Sequence, residues 1–148
     1  MDNIQYDMPL LLNKINKNFC KECDSCLKEI GLSKLHAFYL LCLFHNMQGV
    51  KLTKLSELVG CDKANTSRVI NDLENKNIVI RENENQIKKY VIKLTDYGKS
   101  ICEEFAVKIR ERFRKMFECL THDETKQFLG LLEKMAKGVY LWYKSKIL

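Results

Sequence analysis

At 148 residues, with 46% hydrophobic and 30% charged side chains, the chain can build one compact domain or one protomer of an intertwined oligomer. No apolar run approaches a membrane span, and the stretch from Met1 to Asp7 lacks the basic and apolar regions of a secretory leader, so a cytoplasmic protein without a membrane partner is expected. The formal net charge of +6 suits a polyanionic partner, yet residues 1–50 balance at zero, 51–97 hold nine basic against seven acidic residues, and 98–148 hold eleven against seven. The excess is spread along the chain, so it excludes little. The placement of individual side chains has to carry the argument.

In chain order, Met8, Leu12, Ile15, Phe19, Cys23, Cys26 and Leu27 recur at three- and four-residue steps. They predict an amphipathic helix over 9–30, with Ile4 and Tyr6 ahead of it as an arm, Pro9 near its start and Gly31 ending it. Ser33 opens a second helix over 35–47 that is apolar almost all round (Leu35, Ala37, Phe38, Leu40, Leu41, Cys42, Leu43, Phe44) and is expected to be buried. Leu55, Leu58 and Val59 at helical spacing, stopped by Gly60, predict a short third helix. Asp62 caps a fourth over 63–77, whose Val69, Ile70 and Leu73 face a core while Lys63, Asn65, Thr66, Ser67 and Arg68 crowd its outer first turns. Two strands follow at 78–81 and 90–94, the second alternating inward and outward, on either side of a polar tip. Thr95 caps a long helix striped by Ile101, Phe105, Ile109, Phe113, Met116, Phe117 and Leu120. A capping box from Thr121 to Glu124 opens the last, with Phe128, Leu131, Leu132, Met135, Val139 and Trp142 on one side.

Two tightly joined short helices followed by a hairpin describe a winged helix-turn-helix. The fold class is therefore mainly α, with a small β-hairpin wing. The module is expected at 33–97, with dimerisation helices at 1–32 and 98–148. These outer helices carry more apolar surface than a module of about forty residues can cover, and a two-fold homodimer would bury the surplus. The polar run on the fourth helix could be an ordinary solvated face. Against that, Thr and Asn are poor helix formers, whereas Asn and Arg read adenine and guanine edges and Thr and Ser suit phosphate or methyl contacts. Double-stranded DNA is the expected partner. Lys63, Asn65, Thr66 and Arg68 are the expected major-groove residues, with Ser67 on phosphate.

The order of residues from Leu55 to Arg81, followed by Val91 to Thr95 and Gly98, resembles the MarR family of bacterial regulators. The resemblance covers the whole chain in outline and is specific in that central segment. Members usually carry Gly where Asn77 stands, and an Asp and an Arg in the wing where this chain has Gln86 and Lys88. The resemblance implies a dimeric, sequence-specific DNA-binding regulator, a repressor on a pseudo-palindromic operator, released by a small-molecule effector. It further implies that Lys88 and Lys89 touch phosphate or the minor groove, although as plain charges they would also protect a hairpin edge. The effector is then expected where the dimer helices meet the module, near Phe38 and Tyr39.

Seven cysteines without a secretory leader read as thiols. Cys42 and Cys102 suit a core. Cys20-x-x-Cys23-x-x-Cys26 spans about a third of a helix circumference, so these sulfurs could fill a core, sense oxidants or hold a metal with His36 from the next helix. The spacing also matches three ligands of a ferredoxin motif, but position 30 is Ile, so the fourth ligand is missing. A thiol- or metal-sensing regulator is one alternative, and a winged-helix interaction protein that leaves DNA alone is another. No cofactor is expected. His36, His45 and His122 join no nucleophile motif, and there is no Gly-rich phosphate loop or HExxH, so no enzyme is expected.

Overall fold

A computed structural model describes residues 4–83 and 90–146. The elements run α1 (Ile4–Leu27), a 3-10 turn (Lys28–Ile30), α2 (Lys34–His45), α3 (Leu52–Val59), α4 (Lys63–Asn75), β1 (Val79–Asn83), β2 (Tyr90–Leu94), α5 (Asp96–Phe117) and α6 (His122–Lys146). They form two compact units, Met1–Arg110 and Glu111–Leu148. Among the described residues, no helix is long and apolar enough to cross a membrane.

In the first unit, α2 lies centrally and packs on α1, α3, α4 and β2. Ile4 and Tyr6 are already helical, with Pro9 inside the helix, so the expected arm is instead its first turns. The expectation that α2 is buried all round is also corrected. Ala37, Tyr39, Leu40 and Leu43 are buried, but Leu35 is 46% exposed, because neighbours within the unit cover only part of its circumference. In α3, Leu55 points inward as expected, whereas Leu58 is exposed and Ser56 takes an inward place by donating its hydroxyl to the Thr53 carbonyl at 2.8 Å.

The hairpin is antiparallel, from Val79 opposite Leu94 to Asn83 opposite Tyr90. Strict alternation in β2 fails, since Val91 and Ile92 are both buried. Neighbours on a strand face opposite sides, so both sides must be covered. One side packs on α2, and the turn at Gly49 lies over Val91 on the other. That turn also brings in a third strand fragment, Val50, exchanging backbone bonds of 3.0 and 2.9 Å with Ile92. One residue long, it leaves no periodicity to read.

The join between α4 and α5 is tight. Asn77 takes φ of 58°, the left-handed conformation that Asn tolerates, and the Ile78 N–H reaches back to the Leu73 carbonyl at 2.9 Å to close the helix. The Thr95 hydroxyl donates to the Asn77 carbonyl at 2.7 Å and accepts from the Gly98 N–H at 2.9 Å. A Cβ on Gly98 would stand 2.0 Å from the Ile78 carbonyl oxygen. Glycine here permits helix and turn to touch.

In the second unit, the Thr121–Glu124 capping box opens α6, the carboxylate accepting from the Thr121 N–H at 2.7 Å. Phe117 stacks between Phe113 and Phe128, with 6.1 Å between centroids on each side. Along α6, Leu129, Leu131, Met135, Val139 and Leu141 are between 43% and 63% exposed.

Candidate nucleic-acid interface

The interface is built on α4, and its first turn is fixed by Asp62. One carboxylate oxygen accepts from the Asn65 backbone N–H at 2.8 Å and the other from the Asn65 amide at 2.6 Å. The backbone bond from Asn65 is the largest cause holding the Asp62 carboxyl below its ordinary 3.8, and the Asn65 amide and the positive charge of Arg68 act in the same direction. A depressed folded-state pKa stabilises above the ordinary value, and that stabilisation disappears as pH falls through the depressed one. Asp62→Ala should therefore lower the unfolding midpoint at neutral pH, with a deficit that shrinks once pH drops below about 3.8. A deficit independent of pH in thermal melts would contradict this.

The helix has a sharp inside and outside. Thr66, Val69, Ile70 and Leu73 are buried. This corrects the expectation for Thr66. It is 0% exposed, and its hydroxyl is 3.2 Å from that of Tyr39, itself 0% exposed, so it anchors α4 to α2 and cannot reach a groove. The same bond engages the hydroxyl of Tyr39, one of the two expected effector contacts, inside the fold. Lys63, Asn65 and Arg68 are exposed and Ser67 is half-buried. Asn65 points at Asp62, which occupies part of its donor capacity. At 100° per residue, the stripe opposite the buried one is Ala64, Ser67, Arg68, Asn71 and Asn75, and Ala64, Asn71 and Asn75 are exposed. Attention to polar residue type in the first turns missed these three, although the phase of Val69, Ile70 and Leu73 already points to them. Lys88 and Lys89 lie outside the described residues.

The acidic residues behind this face are paired within the module. Asp72 meets Lys76 at 3.0 Å and His36 at 2.8 Å, and Glu82 meets Lys93 at 2.5 Å. Glu74 pairs with Arg81. Neutralised in this way, they subtract little from the exposed Lys63 and Arg68.

His36, the expected metal partner of the cysteine cluster, is engaged elsewhere. The His36 Nδ1 accepts from the Ser33 N–H at 3.1 Å, so its Nε2 carries the proton toward Asp72 and offers no lone pair. Among the described residues, no group of three or more His, Cys, Asp or Glu could hold a metal ion. Cys23 is 0% exposed, and burial, reinforced by Cys20 and Cys26, pushes its thiol up to about 12. Burial also pushes Cys102 up to about 12, while Cys119 is exposed. Alkylation of the native protein followed by mass spectrometry should label Cys119 early and Cys23 and Cys102 last, because the thiolate is the reactive form. Cys23 reacting as fast as Cys119 would overturn that order.

Comparison with known proteins agrees with this architecture. The profile of the MarR family matches residues 34–86. The chain is 30% identical over 101 residues to the HTH-type transcriptional regulator BilQ of Clostridioides difficile, covering 67% of this chain and 68% of BilQ. The chain belongs to the MarR family. The relatives it matches are named as transcriptional regulators. Among solved structures, a MarR-family regulator from Listeria monocytogenes complexed with a 26mer DNA superposes with a TM-score of 0.82 at 22% identity, covering 98% of this chain and 96% of that one. CouR from Rhodococcus jostii, bound to p-coumaroyl-CoA, superposes with a TM-score of 0.79 at 17% identity, covering 92% and 96%. At such identities the superpositions establish the shared winged-helix fold.

Proposed function

We propose that this MarR-family regulator acts as a homodimeric repressor, placing one α4 from each protomer in successive major grooves of a pseudo-palindromic operator. The observation that carries the reading is the outward stripe of α4. Arg68 and Asn71 project from a helix whose inner side is tied down by Thr66–Tyr39 and whose flank is tied down by Asp72–His36. A rigid helix with exposed donors and locally neutralised acids is what groove reading requires. Ser67 serves a phosphate, Lys63 and Asn65 serve the start of the helix, and Lys88 and Lys89 extend the contact through the wing. The DNA-bound Listeria regulator of the same fold supports this partner. Residues 33–97 form the reading module, and the helices of 1–32 and 98–148 supply the dimer surface. On α1, Ile4, Tyr6, Leu10 and Leu11 are each more than half exposed, which a second copy would correct.

A small-molecule effector would release the operator, as the ligand-bound CouR suggests. Its place is beside Phe38 of α2, whose ring lies 5.5 Å from that of Phe19 of α1, where displacement would be felt by the module. Selection of genomic fragments with the purified protein tests the reading, since the retained fragments define an operator. On that operator, Arg68→Ala should lose about 1–3 kcal/mol and relax preference at one base step. Lys88→Ala should weaken all sequences alike and lower the salt slope by roughly one. Parent-like binding by both variants would contradict the assignment.

A further inference from the structure

On the outward stripe of α4, Asn71 is held in one orientation by a residue from the wing. Arg81 of β1 donates from Nη2 to the Asn71 Oδ1 at 2.6 Å and from Nη1 to Glu74, one turn further along the same helix. Its guanidinium carbon lies 5.6 Å from the ring centroid of Tyr90, which opens β2. Arg81 is therefore gripped from three directions. A guanidinium has donors and no acceptor, so only the oxygen of the Asn71 amide can face it. That fixes which end of the amide is which. The two hydrogens of Nδ2 are left pointing away from Arg81, on an exposed residue one helical turn from Arg68.

We propose that Asn71 is a further specificity-determining residue of the recognition helix, and that Arg81 positions it with its amide donors outward. An unconstrained Asn offers an acceptor and a donor side by side and so matches the N6 and N7 pair of adenine. With one lone pair of its oxygen taken by Arg81, Asn71 presents its two amide donors outward. It favours an acceptor edge in the major groove, guanine O6 and N7 or thymine O4, over a step whose exocyclic amino group faces it. The inference rests on α4 entering the major groove, and it adds the chemistry that one of its positions demands. Arg81 does not itself touch DNA. It acts through Asn71.

The test is selection of duplexes from a random library by the full-length protein, read as base preference at each position. The parent should retain a defined site with a guanine or thymine acceptor at one step per half-site. Asn71→Ala, a change on an exposed position, should lower discrimination at that step by about tenfold and leave the other steps alone. Asn71→Asp keeps the bond to Arg81 but presents an acceptor outward, so it should disfavour guanine at the same step. Arg81→Met should broaden that step to admit adenine, an effect that loss of stability alone would not confine to one base. If the parent selects no site, the groove-reading assignment and this inference fall together. If the parent selects a site and Asn71→Ala keeps every preference, groove reading stands and Asn71 has no part in it. If Asn71→Ala changes the step but a folded Arg81→Met does not, the positioning role of Arg81 is overturned.

Discussion

Replacing Gly98 with alanine should cost about 3 kcal/mol and lower the unfolding midpoint by roughly 10 °C. The added Cβ would stand 2.0 Å from the Ile78 carbonyl oxygen, a backbone atom that cannot rotate away as a side chain could. That carbonyl also accepts the Thr95 N–H at 3.0 Å, so displacing it loosens the end of α4 and the start of α5 together. Gly130 on α6 provides the control, because a Cβ there meets nothing within 4 Å. Alanine at that position should be neutral or mildly stabilising through its helix propensity. Circular-dichroism melts of the two variants beside the parent make the comparison. Equal midpoints for Gly98→Ala and the parent would refute the close approach.

The second large effect is expected at the proposed dimer surface. Leu131 is 59% exposed on α6, outside the ring cluster of Phe113, Phe117 and Phe128. In a two-fold dimer buried through this side of the helix, Leu131→Asp places two carboxylates in an apolar contact, at roughly 3 kcal/mol each. The dissociation constant should rise at least a hundredfold, with helix content nearly unchanged. Phe113→Asp is less informative, because it strikes the stack with Phe117 inside the unit and confuses unfolding with dissociation. Sedimentation velocity at micromolar concentration reads the result. A parent that sediments as a stable monomer, or a Leu131→Asp variant that stays dimeric, would remove α6 from the interface.

Much of the architecture was legible because it rests on local signals. Gly31 and Gly60 end helices in the left-handed conformation, as their positions after the periodic runs foretell. Asp62, Thr95 and Thr121 each cap the helix that follows, since a side-chain oxygen three residues before an unsatisfied N–H is a local geometric fact. Val69, Ile70 and Leu73 face inward because 3.6 residues per turn leaves them no other common side.

Errors arose where partners come from far along the chain. Thr66 reads as a polar residue on an outer turn, yet Tyr39, distant in sequence, meets its hydroxyl and draws it inside. His36 offers itself as a ligand for the cysteines until Asp72 and the Ser33 N–H settle its two nitrogens. Val50 joins the sheet because Ile92 presents a paired donor and acceptor, not because of any propensity of a single residue.

The sequence by itself determined the helices, their capped ends, the hairpin and the order that makes a winged helix, all consequences of period, caps and turn residues read within a few positions. Only the tertiary structure decided which polar side chains of α4 look outward and in what orientation. Burial of Thr66 against Tyr39 and the grip of Arg81 on Asn71 are contacts between segments 27 and 10 residues apart, and no local pattern encodes a bond whose two ends meet only when the chain has folded.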